Sequence, residues 1–232
     1  MIEKILSAWK FISETLIYII FPPFCPVCRK IVDERGDICP ECIKKLLYVG
    51  FYPEPIEPIE KVMRITKYRG GTRDLLRKLK FDNSLSTLPT LKKILDSVST
   101  DVQVTNFLKN VDVAVFVPLH EERLRERGYN QTELIFADWL KALNIPAENI
   151  LVRNKKTPHL FDLSPAERRE TLHDAFSTVD GANVKGKNVL ILDDIYTTGA
   201  TASECAKVLK KIGATHIYML ALASDFGSMG NA

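Results

Sequence analysis

The sequence lacks a hydrophobic run long enough to cross a membrane. Within residues 1–24 the most apolar stretch covers residues 16–21, whereas a membrane span needs about 18 or more apolar residues. No small-residue cleavage site precedes Pro22, and charged residues interrupt the segment, so we expect no secretory signal. These absences predict a cytoplasmic protein without a membrane span.

A strong charge of one sign is also missing from the chain as a whole. Its 32 Lys and Arg against 29 Asp and Glu give a formal net charge of +3, which does not indicate a polyanion-binding protein. Hydrophobic residues at 46% and charged residues at 26% are typical of a globular protein. The average conceals one basic segment, since residues 61–80 hold eight basic residues and one acidic residue, a local charge of +7.

Cysteines are few and clustered. Cys25 and Cys28 form one Cys-x-x-Cys pair, and Cys39 and Cys42 form a second pair ten residues later. Four thiolates at this spacing can complete a tetrahedral zinc site. A redox Cys-x-x-Cys is less favoured, because two copies stand close together without the strand-to-helix context of a thioredoxin. We predict a structural zinc ion, with Cys205 as a buried residue of an apolar helix.

Prolines divide the chain into two parts. Apolar residues at helical spacing predict an amphipathic N-terminal helix within residues 1–24, and the closely spaced prolines of residues 51–58 predict an extended linker. We therefore predict an N-terminal helix with a four-cysteine zinc module over residues 1–50, an α/β domain over 51–226 and a disordered tail over 227–232.

Strands and helices alternate beyond this linker. The predicted strands lie near residues 62–68, 111–117, 149–153, 189–192 and 216–221, and the predicted helices near 72–80, 87–98, 131–143, 165–172 and 200–212. Short, mostly apolar strands separated by helices predict a parallel sheet that helices cover on both faces.

The most specific motif follows the predicted strand at residues 189–192. Asp193 and Asp194 stand at the carboxyl end of this strand, where ligands bind in open parallel sheets. The residues that then lead into a helix are Thr197, Thr198, Gly199, Ala200 and Thr201. Hydroxyl groups, small residues and a helix N-terminus favour a bound phosphate. The two carboxylates suit either ribose hydroxyls or a hydrated magnesium ion.

This motif resembles the phosphoribosyl pyrophosphate (PRPP) motif of type I phosphoribosyltransferases. Together with the cysteine module, the segment from Tyr68 to Phe81 and the segment 117–131, it makes the chain similar to the ComF competence family over nearly all of residues 20–225. The resemblance implies a type I phosphoribosyltransferase fold and magnesium-dependent transfer of a phosphoribosyl group with release of pyrophosphate. It also implies a link to DNA uptake in natural competence, with DNA-uptake proteins as partners.

The resemblance further implies a role for individual residues. Asp193 and Asp194 would be the catalytic carboxylates that face the ribose, and residues 197–201 would hold the 5-phosphate. The residues implied for the pyrophosphate are Pro118, Leu119, His120, Arg123 and Arg127. By charge pattern alone, residues 121–127 read as a solvated helix face.

A mobile loop at residues 154–164 would close over PRPP. His159 stands in this loop where the family usually carries Gln, and we expect it to be an exposed loop residue.

The sequence does not identify the acceptor of the phosphoribosyl group, and it is also compatible with a second function. A non-catalytic competence factor could handle single-stranded DNA and use PRPP as a regulatory ligand. The residues that would contact DNA or phosphate are Lys67, Arg69, Arg73, Arg77, Lys78 and Lys80. Tyr68 and Phe81 stand beside them and could stack bases. A PRPP-sensing transcriptional regulator is less favoured, because no helix-turn-helix is evident.

Overall fold

The structure, a computed structural model, describes residues 9, 18, 20–82, 84–157 and 164–224. Most of the predicted N-terminal helix, most of the loop at 154–164 with His159, and the tail at 227–232 lie outside the described residues. No helix among the described residues is both long enough and apolar enough to cross a membrane.

A six-stranded sheet forms the centre of the molecule. The eight strands of the described chain are β1 Leu47–Phe51, β2 Lys61–Lys67, β3 Val113–Phe116, β4 Ala147–Glu148, β5 Leu151–Arg153, β6 Phe176–Thr178, β7 Asn188–Tyr196 and β8 His216–Ser224. The large sheet has the order β1-β2-β8-β7-β3-β4, and all of its pairs are parallel except β1 with β2. β5 and β6 form a separate antiparallel pair.

Helices cover both faces of this sheet. The helices are α1 Pro40–Leu46, α2 Gly70–Phe81, α3 Leu88–Asp96, α4 Val102–Leu108, α5 Glu121–Arg127, α6 Gln131–Ala142, α7 Pro165–Leu172 and α8 Ala200–Lys211. Successive residues of β7 point to opposite faces, so Leu190 and Leu192 join one apolar cluster while Val189 and Ile191 join the other. The predicted parallel sheet with helices on both faces is confirmed.

Several strand assignments differ from the prediction. β6 was not predicted, and the strand predicted at residues 189–192 extends to Tyr196, so Asp193 and Asp194 lie within it. The strand predicted at residues 149–153 is divided, since β4 belongs to the large sheet and β5 to the small one. β1 was not predicted, and it pairs antiparallel with β2 at the sheet edge, where Gly50 lies opposite Arg64. β1 spans the domain division predicted between residues 50 and 51, and that division stays a prediction.

The cysteine module packs against one face of the α/β layer. Cys25, Cys39 and Cys42 are buried in the same apolar cluster as Leu76 of α2 and Ile94 of α3. The hydroxyl of Thr90 on α3 donates to the backbone carbonyl of Gly36 at 2.6 Å, and Lys93 pairs with Asp37. A module this small has little core of its own, so its burial against α2 and α3 fixes its position.

Candidate functional site

The four clustered cysteines form the candidate metal centre. Their Sγ atoms all lie within 4.8 Å of one another, and the Cys28 and Cys39 sulfurs are 3.5 Å apart. Four thiolates about 2.3 Å from a tetrahedral zinc ion lie about 3.8 Å apart, so the donor set fits a structural zinc ion. Cys205 is fully buried in α8, and burial raises the pKa of its thiol, which confirms it as a core residue.

The phosphate motif forms a tight turn between β7 and α8. Gly199 caps α8 with φ 75°, a left-handed conformation that favours glycine. A Cβ at Gly199 would collide with the Tyr196 hydroxyl and lie 2.8 Å from Ile56 Cγ2. The Tyr52 hydroxyl donates to the Thr197 carbonyl at 3.1 Å. The turn therefore keeps its backbone close to its neighbours and leaves the N–H groups at the start of α8 available to an anion.

The two carboxylates in the carboxyl-terminal half of β7 have different surroundings. Lys80 Nζ lies 2.7 Å from Asp194 Oδ2, and the Asp194 side chain is only 3% exposed. Burial and the neighbouring Asp194 carboxylate raise the pKa of Asp193 well above its usual range, although Lys80 acts in the opposite direction. Lys80 therefore neutralises Asp194, while Asp193 has no comparable partner among the contacts described.

The implied pyrophosphate residues follow β3 and continue into α5. His120 caps α5 because its Nδ1 accepts a hydrogen bond from the Glu122 backbone N–H at 3.3 Å. Arg123 donates to the Thr157 carbonyl at 2.9 Å, and Arg127 donates to the side-chain oxygen of Gln131. Burial lowers the pKa of Arg127, and the nearby Asp194 carboxylate opposes this shift.

One cleft of about 670 Å³ brings most of these groups together. It is lined by the basic residues Arg73, Arg77, Lys80, Arg123, Arg127 and Arg168, by Asp193 and Asp194, and by Tyr68, Phe81, Leu119, Gln131, Ile195, Thr197 and Thr201. Thr198, Gly199 and Ala200 border an adjoining recess. The cleft thus combines cations, carboxylates and hydroxyl donors from segments far apart in the sequence.

Several predicted residues do not line the cleft. Pro118 and His120 are absent from its walls, as are Lys67, Arg69 and Lys78 of the basic segment. The Lys67 ammonium instead lies 3.6 Å from the centre of the Tyr48 ring. The basic segment is therefore divided between the cleft and other surfaces.

Three contributors were not predicted as site residues. Arg168 of α7 donates from Nη1 to Thr197 Oγ1 at 3.1 Å. Arg153 is 8% exposed and donates a hydrogen bond to the Thr157 hydroxyl. The backbone carbonyl of the same threonine accepts the hydrogen bond from Arg123. Tyr52 reaches the phosphate turn from 145 residues away, and no local pattern indicates that contact.

These features define the class of protein. The structure has a mostly parallel sheet flanked by helices, two carboxylates near the carboxyl end of a central strand, and a threonine-rich turn into a helix. These features make up the type I phosphoribosyltransferase fold, here with an N-terminal four-cysteine zinc module.

Comparison with known proteins agrees with this class. The chain is 31% identical over 209 residues to competence protein F of Haemophilus influenzae. The matched region covers 87% of this chain and 84% of that protein. It is 28% identical over 205 residues to the DNA utilization protein YhgH of Salmonella typhimurium, covering 85% of this chain and 88% of the relative. The chain belongs to the ComF competence family.

Two further similarities concern parts of the chain. Residues 16–52 match the double zinc ribbon domain family, a range that contains all four clustered cysteines. A solved glutamine PRPP amidotransferase from B. subtilis, complexed with ADP and GMP, is 21% identical with a TM-score of 0.41, covering 63% of this chain and 30% of that chain.

Proposed function

We propose that the protein binds PRPP in the cleft and transfers its phosphoribosyl group to an acceptor with release of pyrophosphate. The observation that carries this proposal is the single cleft that joins Asp193 and Asp194, Thr197 and Thr201, and a set of arginines. PRPP has one chemical group for each of these three sets. Its ribose hydroxyls suit the carboxylates, its 5-phosphate suits the threonines, and its diphosphate suits the arginines.

The two phosphate ends of PRPP would occupy opposite sides of the cleft. The 5-phosphate fits the turn before α8, where backbone N–H groups, Thr201 and the Arg168–Thr197 pair supply donors. The diphosphate fits beside Arg123 and Arg127, which line the same cleft from α5. Arginine binds phosphate oxygens with paired donors, so both ends would be oriented as well as neutralised.

The reaction is a displacement at ribose C1. The C1–O bond breaks and its electron pair leaves with pyrophosphate, while a lone pair of the acceptor forms the new bond to C1. Positive charge develops on the ribose ring during this step, and the carboxylates of Asp193 and Asp194 would stabilise it. Arg123 and Arg127 would stabilise the departing pyrophosphate, so no protein nucleophile is required.

Magnesium would enter as part of the substrate. Within the described part of the chain, the four cysteines are the only group of three or more metal-ligating side chains close enough to share an ion. Asp194 is already paired with Lys80. We therefore propose that magnesium arrives on the diphosphate of PRPP, whose oxygens are the ligands this ion prefers.

We place this chemistry in the handling of DNA taken up into the cytoplasm. Its support is that the two relatives above are named for competence and for DNA utilization. A purely DNA-binding function has less support, because the basic segment does not form one continuous surface and is divided between the cleft and other surfaces. DNA-uptake proteins stay the proposed partners.

The test is a thermal shift with PRPP and magnesium chloride. At a hundredfold excess over Kd, a ligand of the folded state stabilises it by about 2.7 kcal/mol. We expect the double variant Asp193→Asn with Asp194→Asn to lose this shift. The matched control is Asp96→Asn with Asp180→Asn, two exposed carboxylates outside the cleft, and it should keep the shift.

An undiminished shift in the double variant at residues 193 and 194 would contradict the assignment of the site. Pyrophosphate release from PRPP across purine, pyrimidine and amine acceptors then tests whether transfer occurs.

A further inference from the structure

Two basic side chains of the cleft lie outside the set proposed to bind the phosphates of PRPP. Of its six basic residues, Arg168 lies at the phosphate turn, and Arg123 and Arg127 lie at the proposed diphosphate position. Lys80 is paired with Asp194. The PRPP contacts proposed above include neither Arg73 nor Arg77, although both line the same cleft.

Arg73 and Arg77 form one basic wall on α2. Residues four apart on a helix lie on the same face, so both guanidinium groups can approach one ligand. Arg73 has a 3.7 Å contact with Asp74, but both side chains are more than half exposed, so this pair contributes little. Among the described residues, no carboxylate lies within ion-pair distance of Arg77.

Aromatic rings flank this basic wall. Phe81 is 59% exposed at the end of α2, and the Arg77 guanidinium carbon lies 6.0 Å from the centre of its ring. Tyr68 lines the same cleft from the start of the segment. An exposed aromatic ring beside a cation favours a planar ligand that stacks on Phe81 and directs a negatively charged group toward Arg77.

The Lys80–Asp194 pair places this wall beside the proposed reaction centre. Lys80 directly precedes Phe81, and its 2.7 Å contact with Asp194 ties the end of α2 to the end of β7. A ring stacked on Phe81 would therefore lie next to the carboxylates proposed to face the ribose.

We propose that Tyr68, Arg73, Arg77 and Phe81 form the acceptor subsite, and that the acceptor is a planar heteroaromatic ring bearing a carboxylate or a phosphate. The proposal rests on the phosphoribosyl transfer proposed above. A ring nitrogen donates its lone pair to ribose C1, and the C1–O bond breaks with its electrons leaving on pyrophosphate. An N–H nitrogen then loses its proton to solvent, whereas a pyridine-type nitrogen has no proton to lose and becomes a cation in the product.

Matched acceptor pairs test the requirement for charge. Orotate and uracil differ by one carboxylate, nicotinate and nicotinamide by a carboxylate against an amide, and adenosine monophosphate and adenosine by one phosphate. Each compound is added to the full-length protein saturated with PRPP and magnesium, and both the thermal shift and pyrophosphate release are measured. We expect at least one charged compound to bind about tenfold more tightly than its neutral partner. The carboxylate and phosphate pairs identify which group is recognised.

Variants on α2 locate the subsite. Arg77→Gln should abolish the preference for the charged compound and Arg77→Lys should keep part of it, while both keep the thermal shift with PRPP alone. The control is Lys78→Gln, which removes the same charge from the next residue of α2, an exposed side chain outside the cleft. It should leave the preference unchanged.

Each alternative outcome has a separate meaning. Equal binding of charged and neutral rings, or no binding of any charged ring to the PRPP-bound protein, overturns the acceptor assignment while PRPP binding stands. Loss of the PRPP shift in Arg77→Gln overturns it too, because Arg77 would then serve PRPP. An oligothymidylate that binds through Arg77 at saturating PRPP would assign the wall to nucleic acid. Absence of any PRPP shift in the unaltered protein contradicts the proposed function itself.

Discussion

At the scale of single residues, Asp193 and Asp194 are neighbours with different electrostatic roles. Lys80 Nζ lies 2.7 Å from Asp194 Oδ2, and the Asp194 backbone N–H donates to Asp193 Oδ1 at 2.8 Å. Burial beside Asp194 nevertheless raises the pKa of Asp193, so ionising Asp193 costs folding free energy. The ionised Asp193 carboxylate is thus destabilised in the free protein, and it is the residue that we expect to face the developing positive charge of the ribose.

Asp193→Asn should therefore raise the melting temperature at neutral pH while reducing PRPP binding. Because the folded state holds the Asp193 proton more tightly than the unfolded chain does, stability falls as pH rises from the unfolded pKa of about 3.9 to the raised folded pKa. The variant should melt like the parent below about pH 4 and progressively higher above it, by roughly 2–4 °C per kcal/mol recovered. Calorimetry across pH measures this difference.

Asp194→Asn is the matched comparison, and its expected sign is opposite. It removes the partner of Lys80, whose side chain is only 19% exposed, and so leaves a cation poorly solvated in the cleft. A lower melting temperature for Asp193→Asn at pH 7 would contradict the unequal roles of the two carboxylates.

At the scale of helices and strands, elements with local signals were predictable. The helix predicted at residues 165–172 is observed as Pro165–Leu172, with a capping box between Ser164 and Glu167. The helix predicted at 131–143 is observed as Gln131–Ala142, where Asn130 caps the first turn. Such caps involve residues two or three positions apart, so the sequence itself carries the signal.

Contacts between distant segments were not predictable in this way. β1 is defined by its pairing with β2, and only its last residue, Phe51, falls in the linker predicted from the prolines. The motif at 189–201 indicated the phosphate turn, but nothing local indicates that Lys80 meets Asp194 or that Arg168 meets Thr197. Charge pattern alone therefore could not divide the basic segment between the cleft and other surfaces.

The turn before α8 supports a prediction about glycine. Gly199→Ala should destabilise the protein by more than the roughly 1–2 kcal/mol of a left-handed non-glycine residue, because its Cβ also collides with Tyr196 and Ile56. It should also abolish the PRPP thermal shift by displacing the turn. Denaturant unfolding and thermal shift measure the two effects.

Gly181→Ala is a control for this prediction. Gly181 has a similar φ of 77°, but nothing lies within 4 Å of the position that an alanine Cβ would occupy there, so only the backbone cost applies. Equal destabilisation by the two substitutions, with PRPP binding retained in Gly199→Ala, would show that close packing of the turn is unimportant.

At the scale of the whole molecule, the cysteine module and the α/β layer share one apolar cluster. Cys25, Cys39 and Cys42 pack in that cluster with Leu76 and Ile94, and Val27 lies close to Gly71 at the start of α2. Helix α2 also carries the basic wall and Lys80 of the cleft. Zinc therefore holds a module that supports the helix lining one side of the candidate active site.

Removing zinc should consequently destabilise the entire chain in one transition. Metal binding contributes directly to folding free energy where the ligands have no other means of being held together. We expect a strong chelator, or Cys28→Ser at the exposed ligand, to lower the melting temperature by at least about 10 °C and to weaken PRPP binding. Cys205→Ala should keep one zinc ion per chain, since Cys205 is buried in α8 away from the metal centre. Two separate transitions, the upper one insensitive to chelator, would show instead that the module folds independently and that α2 needs no support from it.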